Sequence, residues 1–399
     1  MRIRVSRLAI AGMAVVALTA AGFATESSAV AKTTAKVTYK NLSYKDFGLT
    51  YSAMKALKPL AAKGKGSVAV ILPDTTSSTR YTEFDAPMLK TAFTDAGLKS
   101  SQIIIQNGQA SDATFITDAQ ADITNGAKVL AIDPEDSATG ITVEKDAAAA
   151  HVKVIDYDRL TLGGTRNYYV SFNNVNVGTL LGKGLVSCVS AWKVASPKVI
   201  VMKGAPTDNN ATLFAQGYDA VLAPKFSGAG WTDVANPAGT WTPTVAETEF
   251  QQAFTANTST NALLSPNDEN AAPIITYLQQ QGVKPYTFPV TGQDATLVGI
   301  QNIISGYQCG TVYKPVFLEA QAAAALAMYL RAGITPPKSL INGTATDTVS
   351  NKQVKSILET PEWVTPSTVE KTIVHDKFVP ASQICTGSFA ADCTKYNIH

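Results

Sequence analysis

The chain is poor in the residues that mark most enzymes. Among 399 residues there are three histidines, His151, His375 and His399, and the last is the C-terminus. No G-x-S-x-G elbow, phosphate-binding P-loop, G-x-G-x-x-G or H-E-x-x-H is present. "SAMK" (Ser52 to Lys55) has the spacing of an acyl-enzyme motif, but no K-T-G accompanies it and it precedes the first core strand, so it reads as chance. "DPEDSATG" lacks the spacing of a calcium loop, and no cofactor or metal site is expected. Charge is scarce too: 16% of residues are charged and the net is +2. A nucleic-acid partner usually meets a basic surface, and none is expected here.

Long apolar runs are also few. One lies near the start, where "MRIRVSR" is basic, "LAIAGMAVVALTAAGF" is apolar and "TESSAVAK" offers small residues. This order predicts a signal peptide over residues 1–31, cleaved after about Ala29 or Ala31. An uncleaved N-terminal anchor is the alternative, although the run is short for a membrane span. Arg2, Arg4 and Arg7 against Glu26 carry the whole net charge, so the mature chain is near neutral. Export to a periplasm, an outer cell envelope or the medium is expected. No cysteine stands near the cleavage site to carry a lipid.

The four cysteines are Cys188, Cys309, Cys385 and Cys393. An even count in an exported chain favours disulfides. Cys385 and Cys393 close the short loop "CTGSFAADC" and are expected to pair. Cys188 and Cys309 are then the remaining pair, with free buried thiols as the alternative.

Beyond a Lys- and Ala-rich lead-in over 32–65, short β-branched runs alternate with helical stretches. "SVAVIL", "QIIIQ", "KVLAI", "VKVIDY" and "YYVSF" read as strands; after a break at "SFNN" the alternation restarts with "KVIVM", "ALLSP" and "FPVTG". Such alternation predicts an α/β protein with parallel sheets in two doubly wound, Rossmann-like lobes. Length agrees, since 399 residues are too many for one ordinary domain.

In open parallel sheets ligands bind beyond the C-terminal strand ends. The loops there are "PDTTSSTRY", "DPEDSATG", "DYDRL", "KGAPTDNN", "SPNDEN" and "TGQDAT". Helix capping explains one polar residue in each. It does not explain the arginines or the doubled carboxylates and amides. Planar groups that grip neighbouring hydroxyls suit a sugar. Trp241 and Tyr81, each at a helix start, are candidates to cover its apolar face, with core packing as the other reading. In "DNN", Asp208 and Asn210 are expected to bind ligand and Asn209 to serve the helix start; the alternative is that all three are cap and turn residues.

Together "VIDYDRL", "YYVSFNNVNVGTLLGKGL", "GAPTDNNATLF", "SPNDENAA", "VTGQDATLVGIQNIISG" and "TVYKP" resemble the D-xylose-binding branch of the periplasmic sugar-binding proteins, the solute-binding components of ABC importers. The resemblance runs from about Ser67 to Cys385. It implies a type I periplasmic binding protein fold, with three chain crossings at the hinge and sugar in the cleft. On it, the lobes are residues 66–172 with 315–355 and residues 173–314 with 356–382, followed by a tail over 383–399. It implies sugar contacts by Arg80, Asp158, Arg159, Asp208, Asn210, Trp241, Asn267, Asp294 and Lys314, with Tyr81 beside Arg80. The lead-in, the cysteines and the tail fall outside the family pattern. A monomer with a monosaccharide ligand and an ABC permease partner is expected. A sugar-sensing receptor is the alternative, and a glycoside-active enzyme is disfavoured. Arg159 and Lys314 would neutralise carboxylates rather than leave one protonated for acid catalysis.

Overall fold

A computed structural model describes residues 36–399; the signal-peptide reading lies outside the described residues. The first sheet collects β1 (Ser67–Leu72), β2 (Ile103–Asn107), β3 (Ala127–Ile132), β4 (Lys153–Tyr157) and β5 (Tyr168–Phe172). The chain then builds β6 (Lys198–Val201), β7 (Thr232–Ala235), β8 (Ala262–Leu264), β9 (Thr291–Gln293) and β10 (Gly310–Tyr313). It returns to the first sheet with β11 (Gly343–Asp347) and β12 (Lys352–Glu359), and ends in the second with β13 (Glu362–Val364).

The first sheet runs β11-β12-β5-β4-β3-β1-β2. The second has segments β7-β6-β8 and β9-β10-β13, joined by a parallel bridge between Leu263 and Val290. Both lobes thus share the central order 2-1-3-4-5. All these central pairs are parallel; β11/β12 and β13/β10 are antiparallel. Strands buried on both faces explain the continuous apolar runs: Val68–Ile71 and Val199–Val201 are essentially unexposed.

The chain passes between the sheets three times: after β5, after β10 and between β12 and β13. The third crossing falls later than expected. Ser356–Glu359 pair in parallel with β5, so they extend the first sheet and not the second. The strand runs on until Pro361, which has no N–H to donate to a ladder.

The lead-in is part of the first lobe's core. Leu42, Met54, Leu57 and Leu60 are fully buried with helix Val316–Arg331. That helix is rich in alanine, and the small side chains let it lie between the sheet and the lead-in with almost no exposed surface. "SAMK" forms a 3-10 turn in this core and contributes nothing to the cavity described below.

At the other end, Cys385 is bonded to Cys393, and Ile384 and Ile398 pack into the second lobe with Ile303, Ile373 and Phe378. Cys188, near the end of helix Asn174–Ala191, is bonded to Cys309 just before β10. No helix among the described residues is long and apolar enough to cross a membrane.

Candidate functional site

The loops at the C-terminal strand ends of both sheets converge on one cavity. Its walls are Ser77, Ser78, Arg80, Tyr81, Asp158, Arg159, Asp208, Asn210, Phe214, Trp241, Asn267, Gln293, Asp294 and Lys314. All ten residues singled out from the sequence are among them. All except Trp241, which is half-buried, are shielded from solvent.

On the first lobe, the chain enters helix Ala86–Asp95 through a π-helical turn, Tyr81–Asp85. The turn sets Arg80 against Asp85 in a two-pronged pair, with Nε–Oδ2 2.9 Å and Nη2–Oδ1 2.7 Å. Arg80 also donates to Glu319 (2.9 Å), from the alanine-rich helix, and to Asp158 (3.1 Å). Tyr157 donates its hydroxyl to Asp85. Burial opposes the charge of Arg80, but Asp158, Asp85 and Glu319 outweigh it and hold the guanidinium protonated. Tyr81 lies between two guanidinium groups, with Arg80 5.3 Å and Arg159 5.8 Å from its ring centre. Its hydroxyl donates to Asp158 Oδ2 (3.3 Å) and accepts from Arg159 (3.2 Å).

Asp158 follows β4 in a left-handed conformation, φ 57°. Its carbonyl accepts from Tyr169, Ser171 and Asn210, at 2.9, 2.7 and 3.0 Å. Those bonds fix a backbone that a non-glycine residue adopts only at a cost. Burial pushes its carboxyl up, but Arg80, Lys314 and Arg159 outweigh it and hold it below the usual carboxylate range.

The second lobe presents Asp208, which caps helix Asn209–Gly228 by accepting the Asn210 N–H at 2.8 Å. This corrects the sequence reading, which gave the cap to Asn209. Asp208 occupies the extended position just before the helix (φ −94°, ψ 121°), where a side-chain oxygen can reach back to a free N–H; Asn209 is already inside the first turn. The other Asp208 oxygen accepts from Trp241 Nε1 (3.0 Å) and lies 3.4 Å from Arg159 Nε across the cleft. Burial pushes the Asp208 carboxyl up, opposed by Arg159 and the Asn210 N–H. One residue therefore does three things.

Asn210 lines the cavity with its amide engaged. It donates to the Asp158 carbonyl and accepts from Asn174 Nδ2 at 2.7 Å. Asn267 caps helix Asp268–Gln280 and donates to Ser77 O at 3.1 Å. Ser78 donates to Asp294 Oδ2 (3.2 Å), and Thr79 N–H donates to Glu269 (2.9 Å). These bonds run from one lobe to the other, so this is a closed form.

Lys314 Nζ lies 2.9 Å from Asp294 Oδ1. Asp294 and Ala295 both have positive φ, 88° and 53°. Asp268 holds the turn by accepting from Thr296 N (3.0 Å), Thr311 Oγ1 (2.9 Å) and Gln308 Nε2 (2.7 Å). Trp241 lies over Gly204, where a Cβ would sit 2.2 Å from the ring, so only glycine fits beneath it. The ring meets Phe214 edge-on, centroids 6.4 Å apart.

Four lining residues were not anticipated: Ser77, Ser78, Phe214 and Gln293. Phe214 reads as one more apolar residue of a helix; its place four residues after Asn210 puts it on the same helix face. Gln293 ends β9 beside Asp294, within the "TGQDAT" stretch singled out from the sequence. Among the described residues, no group of three or more His, Cys, Asp and Glu is placed to hold a metal ion.

Residues 68–335 match the family described as the periplasmic binding protein domain. A D-xylose-binding periplasmic protein of Escherichia coli (strain K12) is 33% identical over 294 residues, 71% of this chain and 83% of that protein. The multiple sugar-binding periplasmic receptor ChvE of Rhizobium radiobacter is 28% identical over 341 residues, 82% of this chain and 94% of that protein. Among solved structures, a carbohydrate transporter solute binding protein from Chloroflexus aurantiacus, in complex with D-glucose, has a TM-score of 0.70 at 28% identity. The match covers 80% of this chain and 98% of that one. The chain thus belongs to the periplasmic binding protein family, in the branch that contains the D-xylose-binding proteins.

Proposed function

We propose that the chain is an exported solute-binding protein that captures one neutral monosaccharide, xylose or a similar aldose, between its lobes and delivers it to an ABC importer. The observation that carries this reading is the make-up of the cavity wall. Three cations (Arg80, Arg159, Lys314) face three carboxylates (Asp158, Asp208, Asp294), and each carboxylate has a cation within 3.4 Å. Arg80 is paired with Asp85 and Glu319 as well, and Arg159 with Asp133 and Glu135, so no cation is left over for an anionic ligand, and the fixed carboxylates and guanidinium groups suit pairs of hydroxyls. Trp241 and Phe214 supply apolar surface for the C–H face of the ring.

Ligand contacts are assigned to the ten residues named from the sequence. The first lobe contributes Arg80, Tyr81, Asp158 and Arg159, and the second Asp208, Asn210, Trp241, Asn267, Asp294 and Lys314. A sugar touching both lobes favours the closed form over the open one. The paired carboxylates support binding without catalysis, because acid catalysis of glycoside cleavage needs a proton on one of them. A sensing role is the second reading, favoured by the relative named as a receptor.

Calorimetry against a panel of aldoses, pentoses and hexoses, tests the proposal. Saturable one-to-one binding, with a smaller radius of gyration in solution on saturation, is the expected result. Absence of binding to every neutral monosaccharide would overturn it.

A further inference from the structure

Gln293 ends β9, the strand that precedes the Asp294 turn, and it faces the cavity with 3% of its surface exposed. Every other polar side chain in the wall makes a hydrogen bond or ion pair within the protein; Asp294 Oδ1, the other wall oxygen without a hydrogen bond, lies 2.9 Å from Lys314 Nζ. Ser77 is bonded to Asp74, Ser78 to Asp294, and Trp241 to Asp208. The charged residues are in ion pairs, and Asn210 and Asn267 bridge the lobes. Gln293 Oε1 has no hydrogen-bond partner. A buried carbonyl without a donor is costly, and a site that leaves one unpaired rejects the ligand that fails to supply it.

Resting on the sugar-binding reading above, we infer that Gln293 is a specificity-determining residue: its carbonyl accepts a hydrogen bond from one hydroxyl of the bound sugar. The ion-paired groups are fixed by one another and grip hydroxyls as a set. Gln293 is neutral and held by no partner through that oxygen, so it reads a single position. A sugar lacking that hydroxyl, or presenting it on the other face of the ring, closes the cleft over an unsatisfied acceptor. One lost bond of this kind corresponds to roughly ten- to a hundredfold in affinity.

The test is a cycle between protein and ligand, read by calorimetry. Wild type and Gln293→Leu are each titrated with the best-bound aldose and with its monodeoxy analogues. In wild type one analogue should bind roughly ten- to a hundredfold more weakly than the parent because of Gln293. In Gln293→Leu that ratio should collapse towards one while the ratios for the other analogues stay put. Identical ratios in both proteins for every analogue would overturn the inference. If wild type binds no aldose at all, the proposed function fails instead. If melting curves show that Gln293→Leu does not fold, Gln293→Asn withdraws the same carbonyl by one methylene. It should reduce the same single ratio, and unchanged ratios there also overturn the inference.

Discussion

Asp208 is the residue at which stability and ligand affinity can be pulled apart. One oxygen caps helix Asn209–Gly228 through the Asn210 N–H, and the other accepts from Trp241 and faces Arg159. Asp208→Ala removes both. Losing the cap should cost about 1 kcal/mol of apo stability, or roughly 2 °C in melting temperature for a chain this large. Trp241 is half-buried, so its indole N–H can turn to water when the cleft opens, and it adds little to that loss. Sugar affinity should fall further, by about 1.5–3 kcal/mol, the scale of a hydrogen bond to a charged group. Asp208→Asn separates the two effects. Asparagine caps a helix as well as aspartate does, so the apo melting temperature should stay within about 1 °C. With its oxygen used by the cap, the asparagine would point an NH2 group at the Trp241 N–H and the Arg159 guanidinium. Affinity should therefore fall as far as in the alanine variant. Thermal unfolding without sugar and calorimetry with the best-bound aldose measure the two quantities. Wild-type affinity in Asp208→Asn, or unchanged apo stability in Asp208→Ala, would refute the reasoning.

Trp241→Ala should weaken sugar binding by roughly 1–3 kcal/mol through lost aromatic contact and buried area, and calorimetry should find no loss if the ring serves only Phe214 and Gly204. Opening the Cys188–Cys309 bond, whose loop spans 121 residues, should cost about 5 kcal/mol, against about 2–3 kcal/mol for the 8-residue separation of Cys385 and Cys393. Unfolding of the paired Cys→Ser variants would contradict this if the short loop mattered more. Burial pushes Asp268 and Glu359 up to about 7. The folded chain then holds protons that the unfolded chain releases between about pH 4 and 7, so stability falls as pH rises through that window. The apo protein should melt higher at pH 5.5 than at pH 8, and a flat profile would mean that these carboxyls ionise freely inside the fold.

Much of the architecture was legible because parallel sheets write their strands as short apolar runs and their sites into the loops that follow. Asp158, Asp208, Asn267 and Asp294 could be placed at strand ends from the sequence, whereas Lys314 came only from the resemblance. What those loops could not say was which oxygen points where. Asp208 and Asn209 are both good capping residues, and only the backbone at the helix entrance decides between them. Phe214 was hidden because a ring facing a ligand and a ring facing a core have the same helical spacing. Gln293 was hidden because a neutral amide beside a carboxylate draws no notice until its neighbours are seen to be paired. The lead-in's part in the core was hidden because its buried residues, Leu42, Met54, Leu57 and Leu60, are spaced among lysines that remain at the surface. The lobe boundary at 355/356, taken from the resemblance, fell inside β12, and Pro361 is the residue in the sequence that marks where the strand stops.

The equal numbers of cations and carboxylates in the cavity wall also bear on the kinetics of capture. Opposite charges a few ångströms apart cancel beyond the mouth of the cleft, and a sugar has no charge for a distant field to pull. Arrival is then governed by diffusion and by how long the lobes stand apart, and dissolved salt has little to screen. A protein so built should take up its ligand at nearly the same rate in dilute and in concentrated salt.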